Sequence, residues 1–182
     1  MNIEFETQIL DIKPDKIINK LRQLGAEEKN EVFQKRYVFD IECLNSVDPG
    51  KGSWIRLRQI ENKSTLTYKN RGGIGISDTQ EIELEVEDFD RMNEILNKLD
   101  CFTGQYYQEN KRKKFYLNGV EFCLDSWPLI PTFLEIEAES EEKVHEAVNW
   151  LGLEDKEHSN YGLINIYAKY GINIHGFKEL KF

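Results

Sequence analysis

The chain has 182 residues, a length that suits one compact domain with a substantial core. Its 33 acidic and 24 basic side chains give a formal net charge of −9. Binding to duplex nucleic acid relies on neutralising phosphates, so we expect no such partner. No segment approaches the roughly 18 consecutive apolar residues that a membrane helix needs, and we expect no membrane partner either.

The spacing of the cysteines and the pattern of the first residues indicate the cellular compartment of the protein. Cys43, Cys101 and Cys123 have no metal-binding spacing and cannot all pair with one another. The chain begins with a strand pattern instead of a signal sequence. These features predict a reducing environment and a cytoplasmic protein. We expect one domain over residues 1–175, followed by a tail, residues 176–182, that either docks loosely or forms a short closing strand.

Eight segments have the pattern expected of β-strands. In chain order they are residues 2–10, 34–42, 53–60, 64–70, 79–87, 106–117, 120–126 and 132–139. Asn118 and Gly119, between the sixth and seventh segments, are a strong hairpin signal because both tolerate the positive φ values of a tight turn. Eight mostly antiparallel strands predict a closed β-barrel.

Helices interrupt this series of strands. They are predicted at residues 13–24, 89–99, 141–151 and 161–170. Pro14 lies near the first turn of the first helix, and Asp88 and Ser140 can cap the second and third. The order of elements predicts an α+β fold, an eight-stranded antiparallel tunnel with helices packed outside it.

Charged residues are sorted by strand. Acidic side chains occupy alternate positions in the segments 3–6, 81–85 and 134–137, and basic side chains flank Leu57 and Arg112. Because side chains alternate across a strand, each set lies on one face. A solvated sheet face with cross-strand ion pairs explains any single segment of this kind. It does not readily explain acidic and basic strands that are kept separate.

Binding of a polyphosphate together with a divalent metal ion uses such sorted charges. Mg²⁺ prefers oxygen ligands and is normally held by one or two carboxylates plus phosphate oxygens. Arginine and lysine bind the remaining phosphate oxygens. The candidate metal ligands are Glu4, Glu6, Glu135 and Glu137. The candidate phosphate ligands are Arg56, Arg58, Lys69, Lys111 and Lys113.

The order of these short motifs resembles the CYTH domain, the superfamily of triphosphate tunnel metalloenzymes. The motifs are Glu4-Phe5-Glu6, Trp54-Ile55-Arg56-Leu57-Arg58, Thr67-Tyr68-Lys69, the alternating Glu81, Glu83 and Glu85, Lys111-x-Lys113, Leu124-Asp125 and Phe133-Leu134-Glu135-Ile136-Glu137. The resemblance implies an antiparallel tunnel that binds a triphosphate-containing small molecule with Mg²⁺ or Mn²⁺. Such proteins include class IV adenylate cyclases, thiamine triphosphatases and inorganic triphosphatases.

The resemblance also implies roles for individual residues. It adds Asp125 to the four glutamates as a metal ligand, and we predict catalytic roles for Glu4, Glu6 and Lys69. Further tunnel-lining residues are predicted at Gln8, Glu81, Glu83 and Glu85. The family usually has Lys-x-Arg where this chain has Lys111-Arg112-Lys113. A register shift of one residue would turn Arg112 and Lys114 inward; we predict that Lys111 and Lys113 line the tunnel.

Gln8 departs from the resemblance. The first motif of the family reads Glu-x-Glu-x-Lys, and a glutamine cannot do acid–base work at neutral pH. Three functions therefore stay open: a phosphohydrolase of inorganic, nucleoside or thiamine triphosphate, a class IV-type cyclase that makes cyclic AMP and pyrophosphate from ATP, and a non-catalytic triphosphate- or polyphosphate-binding module. We favour the phosphohydrolase, because the His-Phe pair that often precedes the acidic motif of the cyclases is absent. We expect a monomer or a homodimer.

Overall fold

A computed structural model describes residues 2–41, 52–73 and 75–182. The strands are β1 (Asn2–Ile9), β2 (Glu27–Glu28), β3 (Val32–Ile41), β4 (Gly52–Ile60), β5 (Lys63–Arg71), β6 (Thr79–Val86), β7 (Phe102–Leu117), β8 (Val120–Ser126), β9 (Phe133–Ala138), β10 (His158–Ser159) and β11 (Glu179–Leu180). The helices are α1 (Pro14–Gln23), α2 (Phe89–Leu96), α3 (Glu141–Leu151) and α4 (Gly162–Lys169), followed by a 3₁₀ turn at Ile174–Gly176. Cys43 and the last residue of the predicted strand 34–42 lie outside the described residues.

Eight strands form a closed antiparallel barrel. Their order is β1-β6-β5-β4-β3-β7-β8-β9, and β9 pairs with β1 to close the ring. The predicted α+β fold with an eight-stranded tunnel is confirmed. Closure pairs both edges of the sheet, and the short strands β2, β10 and β11 attach to β7 and β1 outside the ring. The strand β7 begins at Phe102 instead of at residue 106, because its first residues pair with the end of β3.

The predicted helix boundaries rest on identifiable caps. The Asp88 side chain accepts a hydrogen bond from the Arg91 backbone N–H at 3.0 Å, and Ser140 accepts one from that of Lys143 at 3.2 Å. Helix α3 ends at Gly152, whose φ of 67° is the left-handed conformation that glycine adopts without strain. Helix α2 ends at Leu96, three residues before the predicted position of 99.

The main apolar core lies outside the barrel wall. Val144 and Val148 of α3 are buried with Ile9, Phe122 and Ile136, which project outward from β1, β8 and β9. Because side chains alternate across a strand, the residues between these apolar positions project into the barrel. The outward core therefore leaves the interior of the barrel to polar and charged side chains.

The C-terminal residues dock against the barrel. Strand β11 pairs in parallel with β7, and Leu180 is 2% exposed in a second apolar cluster that includes Trp127, Tyr167 and Ile174. Of the two expectations for residues 176–182, the short strand is the one observed. Among the described residues, no helix has the length and apolar character needed to cross a membrane.

Candidate functional site

The interior of the barrel is a charged cavity of about 860 Å³. Side chains from all eight barrel strands line it. Two groups of them face each other, since in the ring β1 lies four strands from β3 and β9 lies four strands from β4. We call Glu4, Glu6, Glu135 and Glu137 of β1 and β9 the carboxylate wall. We call Arg36, Arg56 and Arg58 of β3 and β4 the arginine wall.

The carboxylate wall is incompletely neutralised. Lys69 Nζ lies 2.7 Å from Glu4 Oε2, and Arg71 Nη2 lies 3.4 Å from Glu6 Oε1. Glu137 makes no ion pair within the described part of the chain. Burial, together with the neighbouring Glu135 charge, raises the pKa of Glu6 and that of Glu137 to about 7. This wall therefore has room for additional positive charge.

Glu135 is the best-compensated carboxylate of this wall. Its Oε1 accepts a hydrogen bond from Arg112 at 2.9 Å, and its Oε2 accepts one from the Gln8 amide at 3.1 Å. Burial opposes ionisation, but the Arg112 charge and the Gln8 bond outweigh it and lower the pKa of Glu135 to about 2. Arg112 also forms a bidentate pair with Asp125, at 2.7 and 2.5 Å. Glu135 is thereby fixed as an anion.

The arginine wall has the opposite imbalance. Arg36 and Arg58 are direct cross-strand partners. Burial lowers the pKa of Arg36, and repulsion from Arg56 and Arg58 lowers it further. Repulsion from Arg56, followed by burial, lowers the pKa of Arg58 to about 10. The buried Nε atoms of all three arginines have no hydrogen-bond partner among the described residues. Glu83 contacts Arg56 and Arg58 at 3.4 Å.

A bound anion would stabilise this wall. Buried donors without partners and guanidinium groups that repel one another are both costly, and each cost is relieved by a multiply charged oxyanion. Thr67 already donates a 2.5 Å hydrogen bond to Glu83, which leaves that carboxylate shared among three neighbours. A phosphate chain is a ligand of the required charge and acceptor density.

Most predicted site residues line the cavity. They are Glu4, Glu6, Gln8, Arg56, Arg58, Lys69, Glu81, Glu83, Asp125, Glu135 and Glu137. Glu85 does not, although it follows Glu83 on the same face of β6. Strand β1 pairs with β6 only along Thr79–Glu81, and Glu85 lies beyond that part, in an exposed position.

The predicted register of the basic segment in β7 is wrong. Lys111 Nζ lies outside the barrel, 4.9 Å from the centroid of the Phe182 ring, and Lys113 Nζ contacts Glu28 at 2.5 Å. Arg112 and Lys114 line the cavity instead. The physical reason is Phe115, which is 0% exposed in the outer core and forces every second residue before it outward.

Two buried arginines of the cavity were missed. Arg71 follows Lys69 by two positions on β5 and therefore shares its face, a signal that was present in the sequence. Arg36 lies between outward-facing residues of β3, and its buried partners Gln34 and Asn110 hold its guanidinium group. Its segment has no run of alternating like charges, so nothing in the local sequence marked it.

The carboxylate wall fits a divalent cation that also has phosphate ligands. Among the described residues, no three Asp, Glu, His or Cys side chains converge closely enough to hold a metal ion alone. The donors are nonetheless the hard oxygens that Mg²⁺ and Mn²⁺ prefer, and Glu137 has no competing cation partner in the part of the chain that the structure describes. A metal ion with one or two protein carboxylates and several phosphate oxygens is a common arrangement.

Comparison with known proteins identifies the family. A family model described as the CYTH domain matches residues 2–165, and the chain belongs to this family. Among solved structures, the PH1012 protein from Pyrococcus horikoshii is 27% identical, with a TM-score of 0.69 over 85% of this chain and 94% of that chain. A conserved hypothetical protein from Pyrococcus furiosus is 26% identical, with a TM-score of 0.67 and the same coverage of 85% and 94%.

A more distant structure shares the fold. HpAC1 from Hippeastrum, described as having a dominant triphosphatase activity, is 18% identical, with a TM-score of 0.60 over 94% of this chain and 96% of that chain. At this identity the likeness concerns the fold alone. A comparison with curated proteins gave no significant match.

Proposed function

We propose that the protein hydrolyses a triphosphate-containing substrate, bound in the tunnel with Mg²⁺ or Mn²⁺, and releases orthophosphate. The observation that carries this proposal is the arginine wall, opposite the carboxylate wall, whose three buried Nε atoms have no hydrogen-bond partner within residues 2–41, 52–73 and 75–182. Membership in the CYTH family and the triphosphatase activity described for HpAC1 support the same class of substrate.

The two walls divide the work of binding. Arg36, Arg56 and Arg58 neutralise the phosphate oxygens on one side, and Lys114 extends this positive surface along β7. The carboxylate wall would hold a divalent metal ion, which would supply Lewis-acid stabilisation of the charge that develops on transfer. The protein residues fix the substrate between two rigid, oppositely charged surfaces, so that little reorganisation is needed during the reaction.

Lys69, on β5, lies between the two walls. Its Nζ is 2.7 Å from Glu4 and 3.4 Å from Glu81. Burial raises the pKa of Glu4, and the Lys69 ammonium opposes this shift, so that it orients Glu4 and favours its ionised form while it can also hold a phosphate oxygen. We therefore assign to Lys69 and Glu4 the positioning of the terminal phosphate. Water attacks its phosphorus, the bond to the bridging oxygen breaks, and the remaining diphosphate group leaves.

The size of the cavity allows an organic group on the substrate. Small-molecule pockets commonly measure about 300–1,000 Å³, and the tunnel volume of about 860 Å³ lies within that range. Tripolyphosphate, a nucleoside triphosphate and thiamine triphosphate are therefore all candidate substrates. We further propose a cytoplasmic protein that acts as a monomer or homodimer.

The test is a product analysis. Purified protein is incubated with Mg²⁺ or Mn²⁺ and, separately, with tripolyphosphate, ATP and thiamine triphosphate, and orthophosphate, pyrophosphate and cyclic AMP are resolved. We expect metal-dependent orthophosphate release that falls about 100-fold in Glu4→Gln, a loss typical of removing one transition-state contact. Glu142→Gln, on the exposed surface of α3, is the matched control.

Other products would replace the proposal. Cyclic AMP with pyrophosphate would identify a cyclase. Metal-dependent binding of tripolyphosphate without any product would identify a binding module. Absence of both binding and turnover would reject the assignment of the two walls to a triphosphate.

A further inference from the structure

Gln8 uses both ends of its side-chain amide. It is 3% exposed and lines the tunnel next to Glu6 on β1. Its Nε2 donates to Glu135 Oε2 at 3.1 Å, and its Oε1 accepts a hydrogen bond from the Tyr161 backbone N–H at 2.8 Å. One side chain thus joins the carboxylate wall to the residue that precedes helix α4.

The start of α4 touches the tunnel wall at three consecutive residues. Asn160 Nδ2 donates to Thr79 Oγ1 at 2.9 Å, Tyr161 N–H donates to Gln8, and Gly162 packs against Arg71. A Cβ at Gly162 would lie 1.8 Å from Arg71 Nη1, and the φ of 65° also favours glycine. The backbone of this segment is therefore fitted closely to the interior of the barrel.

The bond from Tyr161 to Gln8 also satisfies a helix end. The first backbone N–H groups of a helix have no acceptor within the helix. In α2 and α3 the side chains of the N-cap residues Asp88 and Ser140 supply an acceptor. The side chain of Tyr161, the N-cap residue of α4, does not. The Gln8 carbonyl supplies an acceptor from a strand that is far away in sequence.

A lysine at position 8 could not make this connection. A protonated lysine has three donors and no acceptor, so it could still bond Glu135 but would leave the Tyr161 N–H facing a second donor. A glutamate would have the complementary defect, since it accepts from Tyr161 but repels Glu135. Glutamine is the residue of this size that offers one acceptor and one donor.

We propose that Gln8 is a positioning residue that couples the docking of helix α4 to the orientation of Glu135. The role in turnover rests on the proposed function; the coupling itself does not. Because such coupling is reciprocal, a ligand that orders the carboxylate wall also stabilises the docked start of α4. Outer partners of metal-binding side chains commonly change affinity or activity about 10- to 100-fold when removed.

Three variants separate the two ends of the amide. Gln8→Lys keeps the donor to Glu135, Gln8→Glu keeps the acceptor for Tyr161, and Gln8→Met keeps neither. We expect kcat for the best substrate to fall about 10-fold or more in all three, with a smaller change in KM. Backbone hydrogen exchange over residues 160–166 should accelerate about 10-fold in Gln8→Lys and Gln8→Met and stay near the wild-type rate in Gln8→Glu.

The reciprocal effect is measured in the same samples. Mn²⁺ with tripolyphosphate should slow exchange over residues 160–166 in the wild-type protein, and this protection should be lost in Gln8→Met. Gln80→Lys is the matched control, because it makes the same change at an exposed position of β6 and should alter neither exchange nor kcat.

The outcomes are distinguishable from failure of the proposed function. An increase of kcat in Gln8→Lys would overturn the inference, because it would mean that the added charge matters and the connection to α4 does not. Unchanged exchange over residues 160–166 in Gln8→Lys would overturn it as well. A wild-type protein without turnover would contradict the proposed function, while the exchange rates would still support or reject the coupling.

Discussion

The two facing walls of the tunnel solve the problem of buried charge differently. In the carboxylate wall, Lys69, Arg71 and Arg112 pair with three of the four glutamates, and Glu137 has no ion-pair partner among the described residues. In the arginine wall, one carboxylate, Glu83, contacts two of the three arginines. The first wall is close to balance, and the second is not.

The difference indicates which wall is designed for the ligand's own charge. Buried ions are normally paired because the desolvation cost is otherwise uncompensated. Arg36 and Arg58, whose pKa values are lowered by burial and by neighbouring arginines, would therefore be stabilised by a bound anion. The carboxylate wall, by contrast, requires only one more cation, which agrees with a metal ion that takes most of its ligands from phosphate.

The largest expected effect comes from removing one arginine of the unbalanced wall. In Arg58→Met we expect kcat/KM for the best triphosphate substrate to fall about 100-fold, through loss of a charge that neutralises phosphate. The ligand-free protein should become more stable by about 1 kcal/mol, since repulsion from Arg56 is relieved. Steady-state kinetics and denaturant unfolding measure the two effects.

The matched control for this variant is Arg91→Met, on the exposed surface of α2. It removes the same charge and should leave both quantities nearly unchanged. If Arg58→Met destabilised the protein, the ion pair with Glu83 would outweigh the repulsion, and the arginine wall would be a structural network instead of an anion site.

A smaller effect is expected from pH acting on the carboxylate wall. Glu6 and Glu137 have pKa values of about 7, above the ordinary 4.5, so the folded protein binds more protons than the unfolded chain between these values. Each of these two groups should therefore lower the stability of the metal-free protein by about 2.5 kcal/mol as the pH rises from about 5 to 8. The pKa of Glu135 is lowered from 4.5 to about 2, so this group stabilises the folded protein above about pH 4.5, and that stabilisation is lost as the pH falls toward 2.

Denaturant unfolding at several pH values measures this slope. Glu137→Gln should reduce it by about half, because residue 137 then has no proton to lose while Glu6 still titrates, whereas Glu142→Gln on the exposed surface of α3 should leave it unchanged. Added Mg²⁺ should also reduce it, since a bound divalent cation favours the ionised carboxylates. A metal-free stability that rises over this pH range would contradict the raised pKa values of Glu6 and Glu137.

The fold could be predicted because its signals are local. Alternation marked the barrel strands, Asn118-Gly119 marked a hairpin, and Asp88 and Ser140 marked helix starts. The short strands β2 and β10 were not predicted, since each consists of two residues whose pairing is set by distant strands. Such elements have no periodicity of their own.

The site was predictable where one face of a strand is apolar. On β1 and β9, Phe5 and Ile136 fix the outward face, and the glutamates between such positions must face inward. On β7 the run Lys111-Arg112-Lys113-Lys114 is charged on both faces, so the run alone cannot determine the register. The contact that decides it is the burial of Phe115 against the outer core, which only the folded barrel supplies.

The smallest expected effect tests this register directly. Lys114→Met and Lys113→Met remove the same charge from adjacent residues, one facing the tunnel beside Glu121 and one facing Glu28 outside. We expect binding of tripolyphosphate with Mn²⁺ to weaken about 10-fold in Lys114→Met, the value of one charge-assisted hydrogen bond, and less than about 2-fold in Lys113→Met. Titration calorimetry compares them. Equal losses would mean that β7 attracts phosphate through its total charge, and the separation of its inner and outer faces would then have no role in binding.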